Sequence, residues 1–174
     1  MSATCALLGG VATASGSPPG EVLARVNEAM LTRIPPNMFV TCFYCVLDPE
    51  SGHLSYANAG HDLPYVRRRG SDAEELRARG MPLGLMPGMS YEEKEITLHA
   101  GEAALFYSDG LVEAHGPKGE MFGFPRLREL VAAHGEEPSL EDLLLEELYS
   151  FVGEGWEQED DIILLTLRRS AARS

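Results

Sequence analysis

The chain has 174 residues, a length that suits a single domain. Hydrophobic residues make up 44% of it and charged residues 24%, which is ordinary for a soluble globular protein. The formal net charge of −13 at pH 7 argues against a nucleic-acid binder or a binder of anionic membranes, because either function needs a basic face.

Hydrophobic periodicity and turn residues predict helices towards the two ends of the chain and strands between them. In chain order we predict a helix over 2–14, an amphipathic helix over 21–34, strands over 38–47, 54–58, 64–69, 74–77, 91–98 and 103–107, helices over 124–134 and 140–152, and a strand over 162–167. Strands that follow one another through tight turns indicate antiparallel sheets. The sequence therefore predicts an α+β layered fold, with one domain over 1–169 and a short tail over 170–174.

Local sequence signals predict where several of these elements begin, end or lie. The helix over 21–34 has a predicted apolar face and stops at Pro35-Pro36, and the helix over 140–152 begins after Ser139. Turn residues over 48–52 predict a hairpin, and the strand over 91–98 is predicted to lie at an edge. The members of the predicted apolar face are Val22, Val26, Ala29, Met30 and Ile34. We interpret the three arginines Arg67, Arg68 and Arg69 as part of an edge strand whose charge discourages pairing with another chain, rather than as a phosphate-binding patch.

The three cysteines, Cys5, Cys42 and Cys45, do not make a disulfide framework. Cys42 and Cys45 have the spacing of a metal pair, but strand alternation would point them to opposite faces, and no second pair completes a tetrahedral site. We therefore expect buried structural thiols and a reducing cytoplasm. The first residues lack the basic segment of a signal peptide, and no apolar run is long enough to span a bilayer.

Two strand ends carry aspartates. Asp109 follows the apolar strand over 103–107 with only Ser108 between them, and Asp160 and Asp161 open the strand over 162–167. A carboxylate at the end of a buried strand needs a cation or several hydrogen-bond donors, so two such places suggest one shared divalent-metal site. Local sequence alone leaves simpler alternatives open, namely a turn or helix cap at Asp109 and a solvated acidic run over 157–161.

Several segments of the chain together resemble one protein family. They are Asn58-Ala59-Gly60-His61, Gly80-Met81-Pro82-Leu83-Gly84-Leu85, the run from Leu105 through Ser108-Asp109-Gly110 to Ala114, Phe122-Gly123, and Asp160-Asp161 with the four residues after it. In this order they resemble the SpoIIE and RsbU-like bacterial branch of the metal-dependent (PPM-type) serine/threonine protein phosphatases, over about 1–169. The resemblance implies a sandwich of two antiparallel sheets flanked by helices.

The resemblance also implies a site. Family members carry two Mn²⁺ or Mg²⁺ ions, and Asp109 and Asp160 match metal-ligating aspartates, with Asp161 as the neighbouring acid. Gly110 would support the site by allowing a close turn, and we interpret His61 as a loop histidine that bonds a backbone carbonyl and shapes its turn rather than as a ligand or general acid. No catalytic side chain is expected, because a water activated by two metal ions hydrolyses the phosphoserine or phosphothreonine. The implied setting is bacterial stress or sigma-factor signalling, with a phosphoprotein substrate such as an anti-sigma-factor antagonist.

The chain departs from the family pattern at two places. Family members carry an Asp-x-x-Gly-x-Gly segment before the first long helix, whose aspartate bridges both metals, whereas no Asp or Glu precedes Glu21 here. Ile163 stands where the family more often has threonine. We therefore expect an N-terminally incomplete fold with one bound ion or none, and sheet edges that favour a homo-oligomer. Two alternatives stay open: a non-catalytic phosphatase-fold interaction module, or a natural protein that carries the missing segment before Met1.

Overall fold

The computed structural model describes residues 16–35, 37–70, 73–134 and 139–170. In chain order its elements are α1 Pro19–Leu31, β1 Cys42–Leu47, β2 His53–Ala59, β3 Tyr65–Arg67, β4 Ala73–Glu75, β5 Glu93–Thr97, β6 Ala103–Tyr107, α2 Asp109–Val112, α3 Phe124–Ala133, α4 Leu140–Val152 and β7 Leu164–Arg168. The described residues form two compact units, one made of 16–61 with Arg77–Leu98 and one made of Asp62–Leu76 with 99–170. The predicted helix over 2–14 lies outside the described residues.

The first unit is built on an antiparallel sheet with the strand order β1-β2-β5. β1 and β2 form the predicted hairpin, in a register that places Cys42 opposite Ala59. The Asp48 carboxylate holds the turn, because it accepts hydrogen bonds from the Glu50 amide at 3.0 Å and the Ser51 hydroxyl at 2.6 Å. β5 lies at the edge of this described sheet, as predicted. β1 begins at Cys42 instead of the predicted residue 38.

α1 packs on this sheet, but its buried face differs from the predicted one. Ala29, which was predicted to be buried, is exposed, whereas Leu23 and Asn27 are buried. The physical reason is that the Asn27 amide has partners for both its nitrogen and its oxygen: it donates to the Met86 carbonyl at 2.8 Å and accepts from the Gly84 amide at 2.9 Å. A polar residue can therefore lie on the buried face.

The second unit is built on an antiparallel sheet with the strand order β4-β3-β6-β7. Helices α3 and α4 contribute Leu127, Leu144 and Leu148 to its core, where they join Leu105 of β6 and Leu111 of α2. α4 has the predicted bounds, and the Ser139 hydroxyl caps it by accepting from the Asp142 amide at 3.2 Å. The predicted α+β class, with two antiparallel sheets and flanking helices, is confirmed.

The prediction that the three arginines guard an edge strand is wrong. β3 lies between β4 and β6, because the short strand β4 returns and pairs with it. Arg68 donates to Glu74 at 2.7 Å and to Glu102 at 2.8 Å, and Arg67 donates to the Gly101 carbonyl at 2.9 Å. The hydrogen bonds of Arg67 and Arg68 thus stabilise the turns of this sheet.

Neither of the two described cysteines forms a disulfide; Cys42 is buried and Cys45 is half-buried on β1. Burial raises the pKa of Cys45 to about 11, with a smaller contribution from Cys42, so the thiol stays protonated near neutral pH. This agrees with the predicted structural role, while Cys5 lies outside the described residues. Among the helices that the structure describes, none is long and apolar enough to cross a bilayer.

Candidate metal centre

Ser108 joins the end of β6 to the segment that precedes β7. The two strands pair antiparallel with Tyr107 opposite Leu164, and the Ser108 amide donates to the Ile163 carbonyl at 3.0 Å. The buried Ser108 hydroxyl then makes two further bonds: it donates to the Asp161 carbonyl at 2.8 Å and accepts from the Ile163 amide at 2.9 Å. The chain just before Asp109 is therefore bonded directly to the chain that carries Asp161.

Gly110 brings the same two segments into van der Waals contact. A Cβ placed on Gly110 would lie 2.7 Å from the Asp161 carbonyl oxygen and 3.4 Å from the carbonyl carbon of Asp160. Real Cβ atoms do not approach backbone oxygens that closely, so the position requires glycine for reasons of space. Asp109, the residue before Gly110, thus belongs to a backbone segment that contacts both Asp160 and Asp161.

The three carboxylates differ in their surroundings. Asp109 is half-buried at the start of α2, and one of its oxygens accepts from the Gly110 amide at 3.1 Å. Asp160 and Asp161 are exposed, and an Asp160 oxygen accepts from the Asp161 amide at 2.8 Å. The simpler alternative of a solvated run therefore describes Asp160 and Asp161, whereas Asp109 is the first residue of α2 and Ser108 occupies its cap position. A carboxylate can accept about four hydrogen bonds or ligand contacts.

The donor atoms suit a divalent cation in kind but not in number. Carboxylate oxygens are the ligands preferred by Mg²⁺ and Mn²⁺. Within the ranges that the structure describes, however, no group of three or more His, Cys, Asp or Glu residues is arranged to hold a metal ion. The described residues thus supply oxygen donors of a suitable kind without forming a metal site by themselves.

His61 lies in a turn of the first unit that the Asn58 side chain holds. Asn58 accepts from the His61 amide at 2.8 Å and donates to the His61 carbonyl at 2.9 Å. The imidazole Nδ1 lies 3.3 Å from the Thr41 hydroxyl. His61 therefore takes part in a structured turn, although its ring contacts a hydroxyl rather than the backbone carbonyl that we predicted.

Sequence reasoning missed two contacts beside the aspartates. One is the double role of Ser108, which the position of a hydroxyl between a buried strand and Asp109 could have indicated, since a buried hydroxyl needs partners. The other is the contact between His115 Nδ1 and Glu159 Oε2 at 3.1 Å, which joins the acidic run to the segment after α2. No local pattern predicts that contact, because the two residues are far apart in sequence.

Comparison with known proteins identifies relatives over most of the chain. The family described as stage II sporulation protein E (SpoIIE) matches residues 1–170. Protein IcfG of Synechocystis sp. is 31% identical over 134 residues, which are 76% of this chain and 21% of that protein. The phosphoserine phosphatase RsbU of Bacillus subtilis is 26% identical over 158 residues, which are 89% of this chain and 46% of that protein. The chain thus spans less than half the length of these two curated relatives.

The fold has close counterparts among solved structures. The SiaA-PP2C domain of Pseudomonas aeruginosa superimposes with a TM-score of 0.75 at 25% sequence identity. The match covers 90% of this chain and 62% of that one. The described architecture is therefore that of a PP2C-type phosphatase domain.

Proposed function

The chain belongs to the SpoIIE family, and from this premise we propose that it is a metal-dependent (PPM-type) serine/threonine phosphatase domain. The proposed reaction is hydrolysis of a phosphoserine or phosphothreonine ester on a partner protein. The similarity to RsbU of Bacillus subtilis, which is named a phosphoserine phosphatase, supports this substrate class. We further propose that the partner is of the anti-sigma-factor-antagonist type and that the domain acts in bacterial stress or sigma-factor signalling.

One observation carries the proposal. The close approach of Gly110 and the hydrogen bond of Ser108 hold the backbone around Asp109 against the backbone of Asp160 and Asp161. The pairing of β6 with β7 thereby brings together acids that are 51 residues apart in sequence. This juxtaposition supports a common cation held by Asp109 and Asp160, with Asp161 beside them.

The proposed role of these carboxylates explains why a cation would be needed. Three aspartates repel a phosphate dianion unless positive charge offsets them. Bound Mn²⁺ or Mg²⁺ supplies that charge and lowers the pKa of the attacking water. The chain's own contribution is to hold the carboxylates in place, through the Ser108 hydrogen bonds and the close approach of Gly110.

The proposal predicts that Asp109→Asn lowers Mn²⁺-stimulated turnover of p-nitrophenyl phosphate by about 100-fold, because the ion loses a charged ligand. The measurement is the initial rate across a Mn²⁺ titration, with a chelator reversing the stimulation. Glu146→Gln is the matched control, since it also removes one carboxylate but lies exposed on α4. Unchanged turnover in Asp109→Asn would reject the assigned role.

A second candidate is a non-catalytic phosphatase-fold module that binds partner proteins. It is favoured by the lack of a group of three potential ligands among the described residues. This alternative predicts no Mn²⁺-stimulated turnover by the unaltered protein, and binding to a phosphoprotein partner that Asp109→Asn does not weaken. The same titration therefore separates the two candidates.

A further inference from the structure

Two loops of the first unit carry exposed apolar side chains, most of them methionines. The first loop, 32–41, leads from α1 to β1, and the second loop, 77–91, leads to β5. Val40 and Leu83 pair their backbones through two hydrogen bonds of 3.0 and 2.8 Å, so the loops lie side by side. The large apolar side chains that are between 40% and 47% exposed here are Met38, Phe39, Met81, Leu85 and Met86, which we call the methionine surface. Exposed apolar side chains that cluster commonly mark an interaction site, whereas isolated ones are ordinary.

The backbone of the second loop is held in place by α1. The Asn27 side chain accepts from the Gly84 amide at 2.9 Å and donates to the Met86 carbonyl at 2.8 Å. The Glu28 carboxylate accepts from the Gly88 amide at 2.7 Å. A surface that is already ordered loses less conformational freedom when a partner binds, which favours binding. The methionine surface therefore belongs to a structured loop that is prepared for a contact.

The backbone groups at the centre of the methionine surface are already bonded. The amide and the carbonyl of both Val40 and Leu83 are used in the pair between the loops, and Asn27 uses the Gly84 amide and the Met86 carbonyl. An added β-strand binds through main-chain hydrogen bonds, whereas an amphipathic helix binds by laying apolar side chains on an apolar surface. Methionine suits the second mode because its side chain is flexible and polarizable. The surface therefore fits a helix better than a strand.

The charge of the two loops is opposite to that of the molecule. Together they contain Arg33, Arg77 and Arg79 and no Asp or Glu, in a chain whose net charge is −13. Arg33 and Arg79 are exposed. A partner that covers the apolar side chains here meets positive charge beside them, which attracts acidic residues and disfavours basic ones.

Both exposed arginines lie next to the contact between the loops. Arg33 directly precedes Ile34, whose side chain fills the space where a Cβ on Gly84 would be, so this part of the first loop contacts the second. Arg79 begins the part of the second loop that leads to the methionine surface, and its amide donates to the Glu92 carboxylate at 2.8 Å. The positive charges thus stand close to the apolar side chains.

We propose that the methionine surface docks an amphipathic helix of a partner protein, one that has apolar side chains on one face and acidic residues along the edges of that face. The apolar side chains pack on the methionines, and the acidic residues lie against Arg33 and Arg79. A helix is small enough to meet mainly the local charge of the loops. An anionic membrane or a second copy of this chain also meets the net charge of −13, which repels both.

The test is a methyl NMR titration of the protein labelled at its methionine methyl groups, with a chelator present so that the result does not depend on the candidate metal centre. The probe is a helical peptide of about 18 residues, with leucines along one face, glutamates along the edges of that face and glutamines elsewhere. The comparison peptide has lysines in place of the glutamates. We expect saturable shifts of the Met38, Met81 and Met86 methyl groups with the acidic peptide, and at least about tenfold weaker binding of the basic one. Met121, which is 52% exposed but lies in the second unit, should not shift.

Variants at exposed positions locate the contact. Met81→Gln and Met86→Gln should each weaken binding of the acidic peptide about tenfold, because an apolar side chain is lost from the contact. Arg33→Glu should weaken it about fivefold and reduce its dependence on salt. Met121→Gln and Arg128→Glu are the matched controls, exposed in the second unit, and should bind the peptide normally. Melting temperatures should stay close to that of the unaltered protein, since exposed substitutions seldom change stability much.

The proposal is overturned if the acidic peptide causes no saturable methyl shift, if the basic peptide binds equally well, or if Met81→Gln and Met86→Gln bind the acidic peptide normally. Two further measurements address the other occupants: cosedimentation with vesicles of phosphatidylserine and phosphatidylcholine, and sedimentation equilibrium of the protein alone. Binding to the vesicles, or self-association that Met81→Gln abolishes, would assign the surface to a membrane or to a second copy and would likewise reject the helix.

Discussion

Gly110 is a position in the candidate metal centre that cannot accommodate a side chain. The space that a Cβ would need is filled by backbone of Asp161, which cannot rotate away as a side chain could. A larger residue must therefore push apart the two segments that carry Asp109 and Asp160. A larger residue at this position should therefore both lower the stability of the fold and disturb the proposed cation site.

Gly110→Ala is accordingly expected to lower the free energy of unfolding by about 1–3 kcal/mol, the usual cost of overpacking, and to weaken Mn²⁺ binding. Urea unfolding and calorimetric Mn²⁺ titration measure the two effects. Gly119→Ala is the control: its φ of +80° makes it strained, but no atom lies within 4 Å of the added Cβ. That variant should lose some stability and keep its Mn²⁺ affinity. Normal Mn²⁺ affinity in Gly110→Ala would show that the contact is irrelevant to metal binding.

Glu102 is a buried carboxylate whose ionisation the second unit stabilises. Its side chain is 6% exposed, and it accepts from the His99 amide at 2.9 Å and from Arg68 at 2.8 Å. Burial by itself raises the pKa of Glu102, but the His99 hydrogen bond and the Arg68 ion pair outweigh burial, so the pKa lies below its ordinary value of 4.5. Ionised Glu102 therefore stabilises the folded state above about pH 4.5, and this stabilisation is lost as pH falls through the lower, folded-state pKa.

Glu102→Gln is expected to cost about 1–3 kcal/mol of unfolding free energy at pH 7, because a charge-assisted hydrogen bond is lost. The difference from the unaltered protein should shrink as pH falls below the ordinary value of 4.5. Chemical unfolding at a series of pH values tests this, with the exposed Glu146→Gln as the reference. An equal loss at every pH would mean that the ionised carboxylate contributes nothing.

Among the elements, local signals predicted those whose ends are marked in the sequence. β6 and α4 were predicted with their observed bounds, because an apolar run between turns defines the first and the Ser139 cap defines the second. The position of β3 inside its sheet was not predicted, since strand order depends on pairing between distant segments. α2 was missed because its four residues are too few to show a helical period.

In the candidate site too, local sequence could single out individual residues but not their proximity in space. Acids at strand ends are visible in sequence, and so Asp109, Asp160 and Asp161 could be singled out. Their proximity is a consequence of the β6–β7 pairing, which no local pattern contains. The two strand-end acids suggested a shared site and the family resemblance supported it, but the assignment of these residues as ligands stays a prediction.

α1 offers a prediction at this scale, because one buried side chain ties it to a loop. Asn27→Ala is expected to destabilise the protein by at least about 2 kcal/mol, since the Gly84 amide and the Met86 carbonyl both lose their partner. Thermal or urea unfolding measures the change. Arg25→Ala on the same helix breaks only an exposed ion pair and should cost less than about 1 kcal/mol. Equal effects of the two variants would contradict the proposed role of Asn27.

For the whole molecule, net charge is the dominant long-range property. A charge of −13 attracts divalent cations and repels phosphorylated partners, and salt screens both effects. A bound cation at the aspartates would offset this repulsion locally. The single domain over 1–169 and the homo-oligomer formed through sheet edges stay predictions.

The central claim is that Asp109 and Asp160 bind the same divalent cation, and a double-mutant cycle on Mn²⁺ affinity tests it most directly. Calorimetry would compare the unaltered protein, Asp109→Asn, Asp160→Asn and the double variant. If both aspartates hold one ion, each single change weakens binding at least about tenfold, and the double change costs less than the sum, with a coupling of about 1 kcal/mol or more. Strictly additive effects, or Mn²⁺ binding that neither change weakens, would contradict the account.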